Sequence, residues 1–173
     1  MNEVINTILK RRSVRNYKEE QNEDNDLNVI LDCARYAPSG MNRQSYAFVA
    51  VQNHDIMSEI INTCMDIREI TTSPFYGAPT IVLVFGDENS PTYVEDACAG
   101  IENMAIAATS LGIGSCWVRC IKDLFESGEG EKIREKIEVP ENYKCIGSLI
   151  LGYVDGEYPE AKVRKENIIK IIK

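Results

Sequence analysis

The stretch APTIVLVFGD, residues 78–87, is the most continuously apolar part of the chain. Every residue between Ile81 and Phe85 is apolar. Because successive side chains of a strand point to opposite faces of a sheet, this run predicts a strand that is buried on both sides. We therefore expect it at the centre of a sheet. The run is also far shorter than the roughly 20 apolar residues that span a bilayer.

Helical and strand patterns continue on both sides of this stretch. We predict helices over about residues 2–10, 24–37, 55–69 and 94–111, a short helix within 123–140, and strands over 45–53, 78–87, 112–120 and within 143–159. Asp24 and Asp26 are candidate capping residues for the second helix. Without an internal repeat or a long linker, residues 1–173 are expected to form a single domain of the α+β class. Its central sheet is expected to be mixed or mostly antiparallel and flanked by helices.

The chain is acidic overall but has a basic segment near its start. This segment, KRRSVRNYK (residues 10–18), holds five basic side chains in a chain of formal net charge −8. The remaining residues are more acidic still and would repel a polyphosphate, so we expect no nucleic-acid partner. The segment follows the carboxyl end of a predicted helix, which carries partial negative charge. Its side chains, rather than the helix dipole, would have to hold an anion, and a small one.

Six cysteines are scattered along the chain, and none forms a C-x-x-C pair. The closest two, Cys116 and Cys120, lie in a predicted buried strand, so a metal or iron–sulfur site is not expected. Reduced core thiols agree with a cytoplasmic location, which we expect. The first residues have no apolar leader, and we expect no membrane partner.

Two basic stretches offer groups that bind phosphate. In the basic segment, Arg11, Arg12, Ser13 and Arg15 supply guanidinium groups and a hydroxyl that can contact phosphate oxygens from several directions. The stretch KVRK, residues 162–165, lies in a basic tail (residues 160–173) whose isoleucines suit a short strand that needs a partner. Taken alone, the segment can equally be a solvated surface patch, and the tail a solvated end.

A polar loop, APSGMNRQSYAF (residues 37–48), lies between a predicted helix and a predicted strand and is called the proline loop here. Pro38 and Gly40 shape a turn, and Ser39 and Asn42 expose polar groups. The Gln44 side chain can hydrogen-bond the amide-like edge of a ring. Taken alone, an ordinary connecting loop explains the stretch equally well.

No side chain stands out as a catalytic acid, base or nucleophile. His54 is the sole histidine and follows a turn-like pair, so an exposed or capping position is expected. The GIG at residues 112–114 precedes a strand rather than a helix, which excludes a dinucleotide fingerprint. The chain also lacks a G-x-S-x-G motif and a P-loop. Phosphate-binding groups without catalytic side chains are typical of proteins whose bound cofactor carries the chemistry.

Four motifs together resemble the flavin-dependent nitroreductase family in its short form. They are RRSVR (11–15), APSGMNRQSYAFV (37–49), LGIGSCWV (111–118) and LGYVDGEYP followed by KVRKENI (151–168). The resemblance implies a layered α+β fold and a homodimer with one FMN in each of two interface sites. It also implies an oxidoreductase that uses NADH or NADPH to reduce nitro compounds, quinones or related small-molecule acceptors by ping-pong alternation.

The resemblance also implies roles for individual residues. Arg11, Arg12 and Ser13 would hold the phosphate and ribityl side of FMN, and Arg15 would lie toward the N1/O2 edge of the ring. Lys162 and Arg164 would complete the phosphate cage, in a tail that extends onto the partner subunit.

Two further segments would border the ring. Pro38, Ser39 and Gly40 would reach the flavin of the partner subunit, with Asn42 nearby. Trp117, Val118 and Arg119 would line the other ring face, where a backbone N–H points toward N5. No side chain is assigned a catalytic role.

The chain departs from the usual family pattern at two places. Ser45-Tyr46 stands where Pro-Trp is usual, and Arg119 stands where a small or acidic residue is usual. A bulky cation over the ring would favour an acidic or electron-rich acceptor. Other readings stay open: an offshoot acting on one metabolite by reduction, dehalogenation or flavin fragmentation, a non-catalytic flavin-binding or sensing protein, and an anion-binding domain without flavin.

Overall fold

The four strands predicted before the tail and every predicted helix are present, in the predicted order, in the computed structural model, which describes residues 2–173. The region 123–140 differs in detail because it holds parts of two short helices instead of one. The helices are α1 (Glu3–Lys10), α2 (Asp24–Arg35), α3 (His54–Arg68), α4 (Tyr93–Ser110), α5 (Ile121–Glu126) and α6 (Glu131–Lys136). The strands are β1 (Tyr46–Val51), β2 (Thr80–Asp87), β3 (Gly114–Val118) and β4 (Tyr143–Gly152), and a 3₁₀ turn spans Gly40–Asn42.

The four strands form one sheet in the order β1-β2-β4-β3, and every neighbouring pair is antiparallel. β2 is an interior strand, with Leu83 opposite Val49 of β1 and Ser148 of β4. The predicted central position of β2 is therefore confirmed. Of the two arrangements that the sequence left open, mixed and antiparallel, the sheet has the antiparallel one.

Alternate side chains of β2 enter two separate apolar cores. Ile81, Leu83 and Phe85 belong to the core that α3 and α5 cover, whereas Val82 and Val84 belong to the core that α2 and α4 cover. All five are fully buried, and burying such a side chain stabilises the fold by about 1.5–3 kcal/mol. Helices on both faces of the sheet explain why the strand is apolar throughout.

Helix α4 packs closely on the sheet. A Cβ added at Gly100 would lie 2.5 Å from Cζ of Phe48 in β1, so only a residue without a side chain fits that point of closest approach.

The predicted caps of α2 were wrong. The N-cap position is Glu23, which makes no side-chain capping hydrogen bond, and Asp24 and Asp26 lie inside the first turn. There their carboxylates interact favourably with the positive end of the helix dipole instead of capping it. By contrast, Asn53 caps α3 by accepting from two backbone N–H groups, and His54 is the exposed first residue of that helix.

Two apolar surfaces remain exposed on the single chain. α1 has no buried residue, although its apolar side chains Val4, Ile5, Ile8 and Leu9 share one face. The tail has no regular secondary structure, and its isoleucines are 71–85% exposed. The strand predicted for the tail does not form within one chain, and its pairing with a partner stays a prediction. No helix in residues 2–173 combines the length and apolar character that crossing a membrane requires.

Candidate functional site

The basic segment runs along the outer edge of the sheet, beside β3. Ser13 forms a parallel bridge with Ser115, and the Val14 N–H donates to the Ser115 carbonyl at 2.9 Å. Further along, Tyr17 bridges Val154 just after β4. These backbone contacts hold the segment against the two strands at the β3 side of the sheet, so the arginines have fixed positions instead of lying in a free tail.

Two apolar side chains anchor the segment and leave its polar groups outward. Val14 and Tyr17 are buried, and the Tyr17 hydroxyl donates to the Val14 carbonyl at 2.8 Å. Arg15, between them, is exposed, and Ser13 is half-buried. An extended chain alternates its side chains, so burial of Val14 turns both neighbours toward solvent.

The basic segment and the tail enclose one cavity, the basic cavity, of about 220 Å³. Residues 11–13 and Arg15 line it from the segment. Glu160, Lys162 and Arg164 of the tail line it from the other side, together with the preceding Pro159. It therefore brings together five cations and one carboxylate. All six basic-cavity residues that the sequence assigned to a phosphate or its neighbourhood meet at this place.

Arg12 is the most constrained cation of the basic cavity. Its Nη1 donates at 2.7 Å to the carbonyls of both Leu9 and Arg11, at the end of α1, and its backbone N–H donates to the Tyr158 hydroxyl at 3.1 Å. Its Nε is buried and has no hydrogen-bond partner in residues 2–173. A buried donor without a partner is costly unless a ligand supplies the acceptor. An anion such as a phosphate fits this requirement.

A larger cavity of about 810 Å³, the large cavity, adjoins the basic cavity, since Arg15 lines both. Residues 68–74 and Tyr76 line one side of it, and residues 116–120 line the other. Its volume lies in the range of ligand pockets that bury a drug-sized molecule. Trp117, Val118 and Arg119, which the resemblance assigns to the ring, therefore share one cavity with Arg15, and their contact with a ring stays a prediction.

The large cavity is lined by aromatic and cationic groups. Arg15 lies over the ring of Tyr76 at 5.7 Å from its centroid, and Arg68 pairs with Asp123 at 2.5 Å. Trp117 is 42% exposed although it lies in β3. The indole has this position because Gly147 of β4 leaves room for it: a Cβ there would lie 2.7 Å from the indole Nε1.

Two cysteines of the large cavity have shifted pKa values. Burial raises the pKa of Cys116, whereas the pKa of Cys120 is lowered. The hydrogen bond with the Cys64 thiol, together with the nearby Arg68 guanidinium, lowers the pKa of Cys120 below its usual value against the opposing effect of burial. Both thiols are free in the structure. The sequence pattern predicts a core position for Cys120 and gives no connection to the site.

The proline loop lies apart from both cavities. The described lining of neither cavity includes a residue between Pro38 and Gln44. Instead the loop packs on the start of α4, where the Gly40 N–H donates to Asp96 at 3.0 Å. Three of its residues, Met41, Asn42 and Gln44, have left-handed φ values of 50–54°. Such values are costly for residues other than glycine and often mark functional loops.

One group at the site has no signal in the sequence. It is Tyr158, whose hydroxyl accepts from the Arg12 backbone N–H and which was quoted only as part of a motif. No local pattern could identify it, because the contact joins residues 146 positions apart. Residues 68–74 were not assigned individually, although the resemblance leaves the choice of substrate to the short segment between Met65 and Tyr76 that contains them.

Comparison with known proteins agrees with this geometry. The model of the Nitroreductase family matches residues 8–153. A crystal structure of a nitroreductase with bound FMN from Bacteroides fragilis superposes with a TM-score of 0.94 at 36% identity and covers 100% of both chains.

Two curated relatives extend the comparison. A protein from Archaeoglobus fulgidus with the provisional name NADH dehydrogenase/NAD(P)H nitroreductase is 30% identical over 163 residues, which is 91% of this chain and 88% of the relative. The iodotyrosine deiodinase of Thermotoga neapolitana is 25% identical and covers 98% of both chains. The matched region includes the basic segment, the proline loop and β3, and the α+β fold is that of the solved relative. The chain belongs to the nitroreductase family.

Proposed function

We propose that this protein is an FMN-dependent oxidoreductase that uses NADH or NADPH to reduce nitro compounds, quinones or related small molecules. The observation that carries the proposal is the pair of cavities that share Arg15. One is small, strongly cationic and contains an unpartnered donor, which suits a phosphate. The other is large and bordered by aromatic side chains, which suits a flat ring system. A phosphate joined to a flat ring is the outline of FMN, which the solved Bacteroides fragilis relative contains.

The residues of the basic cavity divide the binding of FMN between them. Arg11, Arg12 and Ser13 hold the phosphate and ribityl side, and Lys162 and Arg164 close the cage from the tail. Arg15 contacts the pyrimidine edge of the ring in this proposal, which its position in the lining of both cavities supports. A guanidinium there stabilises the negative charge that the ring gains on reduction.

Bound FMN supplies two-electron chemistry, accepting a hydride from a nicotinamide and returning two electrons to an acceptor. The net reaction with a quinone is NAD(P)H plus a proton plus quinone, giving NAD(P)⁺ and hydroquinone. The chain contributes orientation, through the wall of residues 116–120 and a backbone N–H near Trp117 to Arg119. Because proximity and electrostatics suffice for hydride transfer, no acid or base side chain is required. Donor and acceptor use the same cavity in turn.

The functional unit that we propose is a homodimer in which each chain is one FMN-binding domain. Three surfaces support this. The apolar face of α1 is uncovered, the isoleucines of the tail are exposed, and the strained proline loop lies outside the cavities of its own chain. A partner that covers α1 and the tail would bury this apolar area. The residues from Pro38 to Gln44 would then complete the flavin site of that partner.

The likeness to iodotyrosine deiodinase favours a second candidate, the reductive removal of iodide from an aromatic ring. In that reaction an aryl iodide and NAD(P)H give the arene, iodide and NAD(P)⁺. The same cavities would serve it, so the release of iodide distinguishes it from nitro or quinone reduction.

The proposal is tested on the purified protein. It is expected to be yellow, with about one FMN per chain, and to oxidise NADH or NADPH when menadione or para-nitrobenzamide is added. The Arg15→Gln variant is expected to raise the Kd for FMN at least about tenfold, because a charge-assisted contact is lost. The matched Arg35→Gln variant, on α2 and paired with Asp32, is expected to bind FMN as the parent does.

Three results would count against the proposal in different ways. A colourless protein that FMN cannot reconstitute contradicts flavin binding. A yellow protein without NAD(P)H oxidation indicates a flavin-binding or sensing protein. Iodide release without nitro or quinone reduction identifies the second candidate.

A further inference from the structure

Arg119 lies at the junction of two cavities, directly after the edge strand β3. It follows directly on β3 and lines the large cavity. Together with Trp117 it also lines a third, more apolar cavity of about 410 Å³, whose other walls are Val94, Cys98, Lys122 and Ile146. Its side chain is exposed. A ligand in the large cavity that extends past Trp117 would therefore meet this guanidinium.

Arg119 differs from the other two arginines of the large cavity in having no partner. Arg68 is held by Asp123 at 2.5 Å, and Arg15 lies over the Tyr76 ring. No ion pair or side-chain hydrogen bond joins Arg119 to any other group in residues 2–173. The nearby Lys122, in the third cavity, pairs with Glu126. Arg119 is thus free to bind a ligand without breaking an existing contact of its side chain.

The charge of the large cavity favours an anionic ligand. Its walls carry three arginines and one carboxylate, Glu69. Asp123 neutralises the charge of Arg68. The positive charges of Arg15 and Arg119 then exceed the single negative charge of Glu69 in the cavity wall. A chain with a formal net charge of −8 repels anions at long range, so a local cationic surface inside a cavity indicates a ligand bound by direct contact.

Trp117 adds an aromatic surface beside the free guanidinium. The indole is 42% exposed and lines both cavities with Arg119. Flat rings stack on an indole, and a guanidinium binds a carboxylate or sulfonate with two parallel hydrogen bonds. The two groups together match an aromatic molecule that carries an acidic substituent.

We propose that Arg119 binds the acidic group of an aromatic electron acceptor, a nitroaromatic or quinone that bears a carboxylate or sulfonate, while Trp117 contacts its ring. The inference rests on the proposed function for the reduction itself and adds the class of acceptor. The electron donor NADPH carries another anionic group, its phosphate, that could bind Arg119. The experiment distinguishes binding of this phosphate from binding of the acceptor's acidic group.

The first test compares two acceptors of nearly the same shape, para-nitrobenzoate and para-nitrobenzamide, with the FMN-loaded protein. The Arg119→Gln variant is expected to lower the ratio of kcat/KM for the benzoate to kcat/KM for the benzamide about five- to tenfold. Arg119→Lys keeps the charge and is expected to retain most of the preference, whereas Arg119→Glu is expected to lower the benzoate value further. Arg35→Gln is the control variant. In the parent, raising the salt concentration is expected to weaken the benzoate reaction selectively.

The second test needs neither turnover nor flavin, because Trp117 is the only tryptophan of the chain. Benzoate is expected to change its fluorescence with a saturating curve, and benzamide is expected to have a much weaker effect. The Kd for benzoate should rise about five- to tenfold in Arg119→Gln and stay unchanged in Arg35→Gln.

Several results would overturn the inference. If Arg119→Gln lowered kcat/KM equally for both acceptors, the arginine would have no role in recognising the carboxylate. A higher KM for NADPH alone, with NADH and both acceptors unaffected, would assign Arg119 to the donor phosphate. If the parent reduces neither acceptor, the proposed function fails, and the benzoate titration still decides whether Arg119 binds a carboxylate.

Discussion

At the scale of single residues, Asp96 is the side chain that holds the proline loop against α4. It is only 3% exposed and lies in the first turn of α4. Its carboxylate accepts from the Gly40 N–H at 3.0 Å, the Ser45 hydroxyl at 2.7 Å and the Thr92 hydroxyl at 3.2 Å. Ser45 stands where the family usually has proline, so in this chain the departure supplies one of the three donors.

We expect Asp96→Ala to lower the free energy of unfolding by about 2–3 kcal/mol, because three donors lose their acceptor in a buried place. Glu95→Ala is the matched control: Glu95 lies in the same turn but is exposed, and its removal should cost less than about 0.5 kcal/mol. Urea denaturation of both variants measures the difference. Equal effects would show that the carboxylate acts only through the helix dipole.

At the scale of elements, the contact between the proline loop and α4 depends on a glycine. A Cβ added at Gly40 would lie 2.2 Å from Oγ1 of Thr92, much closer than a real Cβ approaches any atom. The backbone φ of Gly40 is not positive, so the space, and not the conformation, excludes a side chain there. The loop and the helix therefore constrain each other's position.

A double-mutant cycle tests this contact. Gly40→Ala is expected to destabilise the protein by about 1–3 kcal/mol, since the loop must move away from α4. In a Thr92→Ala background the two nearest atoms are gone, and the same substitution should cost at least about 1 kcal/mol less. Thermal or urea unfolding of the four proteins gives the coupling. Simple additivity would mean that Gly40 and Thr92 do not press on each other.

The placement of the basic segment is also decided between elements. After Lys10, the last residue of α1, the segment has only isolated bridges, yet its contacts with β3 and with the residues after β4 place Arg15 between the two cavities. Helix α4 adds an ion pair to this placement, because Oε1 of Glu102 lies 3.6 Å from Nε of Arg11. Such exposed pairs add little stability, so we assign this one to orientation rather than to folding.

At the scale of the whole molecule, the tail links the two proposed properties, FMN binding and dimerisation. Lys162 and Arg164 line the basic cavity, while the isoleucines that follow are exposed on the single chain. The tail thus has a charged part that faces the proposed phosphate and an apolar part without a partner of its own.

Removal of residues 160–173 is expected to weaken both FMN retention and dimerisation. The Lys162→Gln/Arg164→Gln double variant keeps the apolar part, so it should raise the Kd for FMN about tenfold and leave the dimer intact. Flavin absorbance after gel filtration and the mass of the eluted species measure the two effects separately. A truncated chain that remained a yellow dimer would contradict the roles given to Lys162 and Arg164.

Local pattern was sufficient for most of the fold. The apolar run of β2, the 3.6-residue periodicities and the polar stretches between them depend on neighbours along the chain, and they predicted the order and nature of the elements. The Asp24 and Asp26 caps were misplaced because several acidic residues adjoin the start of α2, and only backbone geometry shows which one precedes the first turn.

The amino-acid pattern alone was enough to establish the central strand, the helix–strand order, the cationic character of residues 10–18 and the resemblance to a flavin-dependent family. The three-dimensional fold was needed for the order of the strands, the meeting of the basic segment with the tail, the wall of residues 68–74 and the free state of Arg119. These features rest on contacts such as that between the Arg12 N–H and the Tyr158 hydroxyl, 146 positions apart. Periodicity reports which way a side chain faces, but it carries no information about which distant side chain it meets.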